Sequence, residues 1–305
     1  MDRGFEKYIR TDLACECVDT KKHPSGVAYS EEVVGDTKIL RMKIENEAEA
    51  ARIGKPQGEY LTFLCENFSK LDQAEKVALS SLLAAELIAL SEKLTKKPAD
   101  SELCVLVAGL GNADMTPDAL GPQTVSRINI TGHLWKLERK LFKSLECSRL
   151  YAIAPGVLGE TGIESKDLIK GAAEAVAPDL IIAVDALASR DAARLCATVQ
   201  ISDSGISPGS GVNNRRHEIS RATLGVPVIA IGVPTVVDSA TLAVDILLRA
   251  HADLNNSEIS EALRLAEPFF VSPRDIDAVT ECAAEVISKA IEIAFGIKPG
   301  RSEYD

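Results

Sequence analysis

The chain is predicted to be an α/β protein built on a largely parallel sheet flanked by helices, with a β-rich extension at its N-terminal end. Three observations predict this. The runs 103–108, 178–186 and 226–233 are apolar with almost no polar alternation, which is the pattern of strands buried on both faces and hence of parallel sheets. Helical periodicity fills the intervals between such runs. Residues 73–94 place Val77, Leu79, Leu82, Leu83, Leu87, Leu90 and Leu94 at helical spacing, an amphipathic helix able to cover one face of the sheet.

Taken in order, residues 1–30 are polar and mixed in charge, which reads as a tail at the terminus. The segments 27–34 and 37–44 are expected to form a hairpin, 45–52 a helix and 58–65 a further strand. After the long helix comes the strand 103–108, which breaks into Gly109-Leu110-Gly111-Asn112 and then Thr116-Pro117-Asp118, an N-cap followed by first helical positions. A third buried strand is expected at 150–154, followed by a glycine-rich loop, 155–162, and a helix at 165–175. The run 178–186 ends on Asp185. Residues 196–202 form another strand, opening into the loop 203–218. The strand 226–233 leads to a helix expected to start at Thr235, with Asp238 in its first turn as a dipole partner. A closing helix spans 272–295.

Composition limits the functions to consider. With 46% hydrophobic residues over 305 positions, the chain can bury one large core. The 34 basic and 45 acidic side chains give a formal charge of −11, which argues against direct nucleic-acid binding. Seven scattered cysteines suggest a reducing compartment rather than a disulfide framework. No apolar run approaches the roughly 20 residues of a membrane helix, and the N-terminus carries no signal-peptide pattern, so a cytoplasmic protein without membrane contact is expected.

Gly109-x-Gly111 suggests a dinucleotide loop, but the third glycine of that motif is Asp114, whose carboxylate would repel a pyrophosphate. Asp118 either complements a helix dipole or carries chemistry. Asp185, alone at the end of a buried run, favours chemistry, because an acid there is costly to desolvate unless it is used. If the two strands are neighbours, Asp118 and Asp185 face one crevice. Two carboxylates held close share a proton, one acting as acid and the other as base, which suits activation of water on an amide. Gly156, in the loop after the third strand, would let backbone N–H groups approach a ligand. Arg215 and Arg216, delivered by the glycine-rich loop, could hold acidic side chains of a substrate, with Asp203 near the same cleft. Cys15, Cys17 and His23 fall short of a metal-ligand set. His133 reads as a structural or exposed residue.

The blocks GLGNADMTPDALGP, APGVLGETGIES, IIAVDALASR, VQISDSGISPGSGVNNRRHEIS and TLGVPVIAIGVPTVVDS resemble the germination proteases of spore-forming bacteria, over about 10–295. The resemblance implies a phosphorylase/hydrolase-like α/β fold similar to the hydrogenase-maturation peptidases. It implies an endopeptidase that degrades small acid-soluble spore proteins in the spore core and works as a homotetramer, with Asp118 and Asp185 carrying the cleavage; no cofactor and no metal ligand is assigned. Arg10-Thr11-Asp12-Leu13-Ala14 resembles the family's processing site, implying a propeptide 1–12 cut between Asp12 and Leu13 ahead of a single peptidase domain, 13–305, of which 13–70 is the β-rich extension. The segment 253–267 is shorter than the family's usual insertion there. Three other readings stay open on the same residues: a metal-dependent maturation-type peptidase, a phosphorylase-like nucleoside or phosphate transferase, and a non-enzymatic peptide-binding module.

Overall fold

The computed structural model describes residues 9–18, 26–100, 102–209, 217–251, 257–265 and 269–297. Among these, nine strands join one sheet: β1 Val27–Val34, β2 Thr37–Ile44, β3 Gly58–Leu64, β4 Cys104–Gly109, β5 Arg149–Ile153, β6 Leu180–Ala188, β7 Thr198–Ser202, β8 Val228–Asp238 and β9 Phe270–Val271. Their order is β1-β2-β3-β7-β8-β6-β4-β5, with β9 pairing on β8. The strands β8, β6, β4 and β5 run parallel, whereas β7, β3, β2 and β1 continue the sheet in antiparallel pairs. The sheet is therefore mixed, and the N-terminal extension is an outward continuation of it. The hairpin β1–β2, with two linking residues, can only be antiparallel, while parallel neighbours need a helical crossover.

The apolar runs become central strands because both of their faces are covered. On β6, Ile182 and Val184 pack into a core shared with Leu83 and Leu87 of the helix Gln73–Thr95 and with Ile287 and Ile291 of the helix Ile276–Phe295. The alternate residues Ile181 and Ala183 face Ile169 and Ala173 of the helix Ser165–Val176. One strand thus feeds two cores, as its period of two requires. The long covering helix starts at Asp72, whose side chain accepts from the Glu75 N–H while Glu75 reaches back to the Asp72 N–H, a capping box that closes two orphan donors.

Two expectations near β8 need correction. The strand does not stop at Val233 but continues through Pro234 and Thr235 to Asp238, with a register shift against β6 at Leu187/Ala188. Thr235 is thus a strand residue. The helix Ser239–Arg249 is capped instead by Asp238, whose Oδ1 accepts from the Thr241 N–H at 2.9 Å. The β-branched run Thr235-Val236-Val237 explains the extension, since it fits a pleated surface better than a helix start.

The N-terminal residues that are described do not form a loose tail. Leu13 and Ala14 are fully buried, Leu13 with Cys15 against Leu40 and Leu187, and Ala14 against Met42, Ile44 and Tyr60. The segment crosses the sheet face from the end of β6 to β2 and β3. Burying a leucine this completely contributes roughly 1.5–3 kcal/mol, enough to hold a short segment in place.

Candidate active site

The site lies at the carboxyl ends of the parallel strands, where open α/β sheets bind ligands. β4 and β6 are adjacent, with Gly109 opposite Val184, and the Leu110 N–H donates to the Val184 carbonyl at 2.8 Å. The chain leaving β4 therefore starts beside Asp185. It then folds back through the helical turn Thr116–Asp118, which packs against β6 and β8. Three hydrogen bonds fix that turn. The Asn112 N–H donates to Asp118 Oδ2 at 2.9 Å, Thr235 Oγ1 to the Pro117 carbonyl at 2.6 Å, and Thr280 Oγ1 to the Thr116 carbonyl at 3.3 Å.

The glycines of this loop serve its geometry. Gly111 has φ +107°, and a Cβ there would lie 1.9 Å from the Asp118 carbonyl oxygen. Gly109 allows β4 to touch Gly121, whose carbonyl oxygen would be 2.2 Å from a Cβ. The aspartate turn can close on the strand end only because both positions lack side chains.

Asp185 is 5% exposed, and its Oδ1 accepts from the Ala186 N–H at 3.0 Å. In register beside it on β8 is Gly232, and opposite Gly232 on β7 is Gln200. The three therefore form one row on one face of the sheet. Next to that row opens a cavity of 290 Å³ whose walls include Asp12, Lys55, Tyr60, Leu187, Gln200 and Gly232. Burial pushes the Tyr60 hydroxyl up to about 12, so it stays protonated; it donates to the Pro56 carbonyl at 2.7 Å and accepts from Ser204 Oγ.

Asp12 and Leu13 lie in the same place. The Asp12 N–H donates to the Ala188 carbonyl at 2.8 Å, and Asp12 Oδ2 accepts from the Ala188 N–H at 2.9 Å. Gln200 grips the backbone on either side of the Asp12–Leu13 bond. Its Nε2 donates to the Asp12 carbonyl at 3.1 Å, and its Oε1 accepts from the Ala14 N–H at 2.7 Å. Lys55 Nζ donates to the Thr11 carbonyl at 3.0 Å.

The other residues singled out by sequence have different fates. Asp203 sits between Ser202 and Ser204 of the cavity wall. Its Oδ1 accepts from the Glu59 N–H at 2.7 Å, and its Oδ2 pairs with Lys93 Nζ at 3.0 Å, so it fastens β3 to the end of β7. Gly156 has φ +68° and lies beyond β5, the edge strand, where its carbonyl accepts from Ser165 Oγ at 2.9 Å. Arg215 and Arg216 lie outside the described residues, although the described ends of their loop, Ser207 and Glu218, line the cavity. His133 is exposed on the helix Gly132–Leu137. Among the described residues, no three His, Cys, Asp or Glu side chains gather so as to hold a metal ion.

Gln200 is the residue that sequence reasoning missed. A signal existed. Thr198, Gln200 and Ser202 alternate with Val199 and Ile201, a polar stripe on a strand buried on both faces. Such a stripe needs partners, and the N-terminal segment supplies those of Gln200, while Ser202 Oγ donates to the Gly205 carbonyl at 3.3 Å.

A family model described as germination protease matches residues 8–255. The chain belongs to the germination protease family. Germination proteases of Caldanaerobacter subterraneus subsp. tengcongensis and Clostridium perfringens are 41% and 39% identical to it, the first over 97% of this chain and 96% of the relative, the second over 94% and 95%. The germination protease of Bacillus subtilis is 43% identical over 78% of this chain and 65% of its own length. Among solved structures, the [NiFe] hydrogenase maturation protease HycI from Thermococcus kodakarensis superposes on 67% of this chain and 99% of its own, with TM-score 0.34 and 16% identity. As a family member the protein is a peptidase. Among the described residues, no helix is long and apolar enough to cross a membrane.

Proposed function

We propose that this germination-protease family member is an endopeptidase made as a zymogen, which cleaves small acid-soluble spore proteins after an acidic residue. Asp118 and Asp185 activate the water. The observation that carries this reading is the position of Asp12 and Leu13. The segment that resembles the processing site is bonded to Ala188, three residues beyond Asp185 on the same strand.

In the proposed reaction the ionised member of the pair removes a proton from water, and the water oxygen bonds to the carbonyl carbon of the acidic residue. The protonated member then gives its proton to the departing backbone nitrogen as the C–N bond breaks. The pair ends with its proton exchanged between the two acids. Because they titrate jointly, activity depends on the pair rather than on either carboxyl alone.

Arg215 and Arg216 are assigned to acidic side chains of the substrate, on the strength of the loop ends at the cavity. Gly156 is assigned to backbone contacts on the Asp118 side. Asp203 is left to its bonds with Glu59 and Lys93. Residues 1–12 are assigned as the propeptide and 13–305 as one peptidase domain. A homotetramer in the spore core completes the reading and is open to sedimentation analysis.

The decisive test is intact-mass analysis of the full chain incubated at mildly acidic pH. The wild type is expected to lose residues 1–12. Asp118→Asn and Asp185→Asn are expected to keep the fold and lose both self-processing and cleavage of an acid-site peptide. Full activity in either variant refutes the mechanism.

A further inference from the structure

We propose that Gln200 is a further catalytic residue of this peptidase. It reads the substrate backbone across the bond to be cut and steadies the carbonyl oxygen as charge builds on it. The proposal rests on the proteolytic reading of the Asp118–Asp185 edge given above.

Gln200 is 8% exposed, and both ends of its amide are engaged by one peptide segment: Nε2 by the Asp12 carbonyl at 3.1 Å and Oε1 by the Ala14 N–H at 2.7 Å. A buried amide that loses such partners is destabilised by each group left unpaired. Once residues 1–12 depart and the new end at Leu13 and Ala14 swings away, the position therefore favours whatever supplies the same two groups again. They are the carbonyl of one residue and the N–H two residues on, a pattern that any polypeptide offers whatever its side chains. The recognised chemistry is thus peptide backbone, in the register set by the acidic residue.

The row on which Gln200 sits explains why the grip falls on the reacting carbonyl. Gln200, Gly232 and Asp185 are in register on the neighbouring strands β7, β8 and β6. Strand spacing places the outer two Cα atoms about 10 Å apart, enough to admit one peptide between their side chains. The middle position has no side chain to obstruct it. A Cβ on Gly232 would lie 2.6 Å from the Asp185 carbonyl oxygen and 2.7 Å from Leu187 Cγ. Gln200 thus reaches the Asp12 carbonyl from one end of the row, and Asp185 occupies the other end. No proton moves to or from Gln200. Its N–H strengthens its hydrogen bond as the carbonyl oxygen gains negative charge and releases that charge when the C–N bond breaks, the part played by an oxyanion donor.

The test follows self-processing of the full chain by intact mass for wild type, Gln200→Met, Gln200→Glu and Asp185→Asn, with circular dichroism to confirm folding. Gln200→Met and Gln200→Glu are each expected to slow loss of residues 1–12 by about a hundredfold. Since slowed chains still convert on long incubation, the processed proteins are then given a Thr-Asp-Leu-Ala peptide and an analogue N-methylated at its Ala. The wild type is expected to lose about tenfold in kcat/KM on the analogue. Gln200→Glu, which keeps the acceptor, should lose a similar factor, and Gln200→Met should lose nothing further. A packing role alone does not predict that difference.

Wild-type rates in Gln200→Glu, or an equal penalty on the analogue in wild type and Gln200→Met, overturn the proposal. Should Gln200→Met not fold, the rate of Gln200→Glu decides. The underlying reading fails separately: an unprocessed wild type or an active Asp185→Asn removes the protease mechanism, whereas an inactive Asp185→Asn beside a normal Gln200→Glu removes only Gln200.

Discussion

Cys15 registers how tightly the N-terminal segment is held. Burial pushes its thiol up to about 11, against the lowering effect of Arg194, whose Nη1 lies 3.1 Å from Sγ. Reaction with iodoacetamide needs a thiolate and access, and Cys15 lacks both. Its alkylation at pH 8 is expected to be at least roughly tenfold slower in the intact folded chain than in urea, and mass mapping of the labelled peptide checks this. At Gly111 the physics is steric. Gly111→Ala forces a side chain into a positive-φ position against the Asp118 carbonyl, with an expected loss of about 2 kcal/mol or more in urea unfolding. Asp185 stands out in the sequence because it ends an apolar run in which any charge is conspicuous, and Asp118 because it falls in the turn that follows another such run. Gln200 does not, because its meaning comes from Asp12 and Ala14, almost 190 positions away, and local pattern carries no such partner.

Among the elements, β8 supports the aspartate turn without contributing to the chemistry. Thr235 donates to the Pro117 carbonyl, so Thr235→Val removes one hydrogen bond while keeping size and β-branching. The expected stability loss is about 1 kcal/mol. The accompanying loss of peptidase activity is expected to be larger in energy terms, roughly tenfold or more, because a loosened turn misplaces Asp118. Comparing the urea midpoint with kcat settles whether the bond serves position or merely stability. Asp238→Ala, which uncaps the helix Ser239–Arg249, should instead cost about 1 kcal/mol with unaltered kcat. Strands and helices were readable in most segments because burial on two faces and amphipathic spacing leave direct marks. The mixed pairing was not. That β3 meets β7 in antiparallel register depends on residues some 140 apart, and the end of β8 depends on a register shift against β6.

For the whole molecule, several groups are kept protonated by the fold. Burial raises the thiols of Cys15, Cys65 and Cys196 from 9.0 to about 11, 12 and 12, and the Tyr60 hydroxyl from 10.0 to about 12. All four folded values exceed the unfolded ones, so the native state holds these protons more tightly. The associated stability is complete below pH 9 and is lost as pH rises from there towards 12. The urea midpoint is expected to fall between pH 8 and pH 11, and less steeply in Tyr60→Phe; a flat midpoint contradicts this assignment.

The complete burial of Leu13 has a further consequence. While the bond to Asp12 is whole, the nitrogen there is a neutral amide, and its N–H has Thr11 Oγ1 at 3.0 Å. The proposed hydrolysis would turn it into an ammonium on a residue with no exposed surface, beside a fresh carboxylate on half-buried Asp12. An ammonium is expensive to keep dry, so the newly made end would be driven outwards as soon as it formed. Ejection into solvent would separate the two cut ends and give the proposed scission its direction without any external energy source.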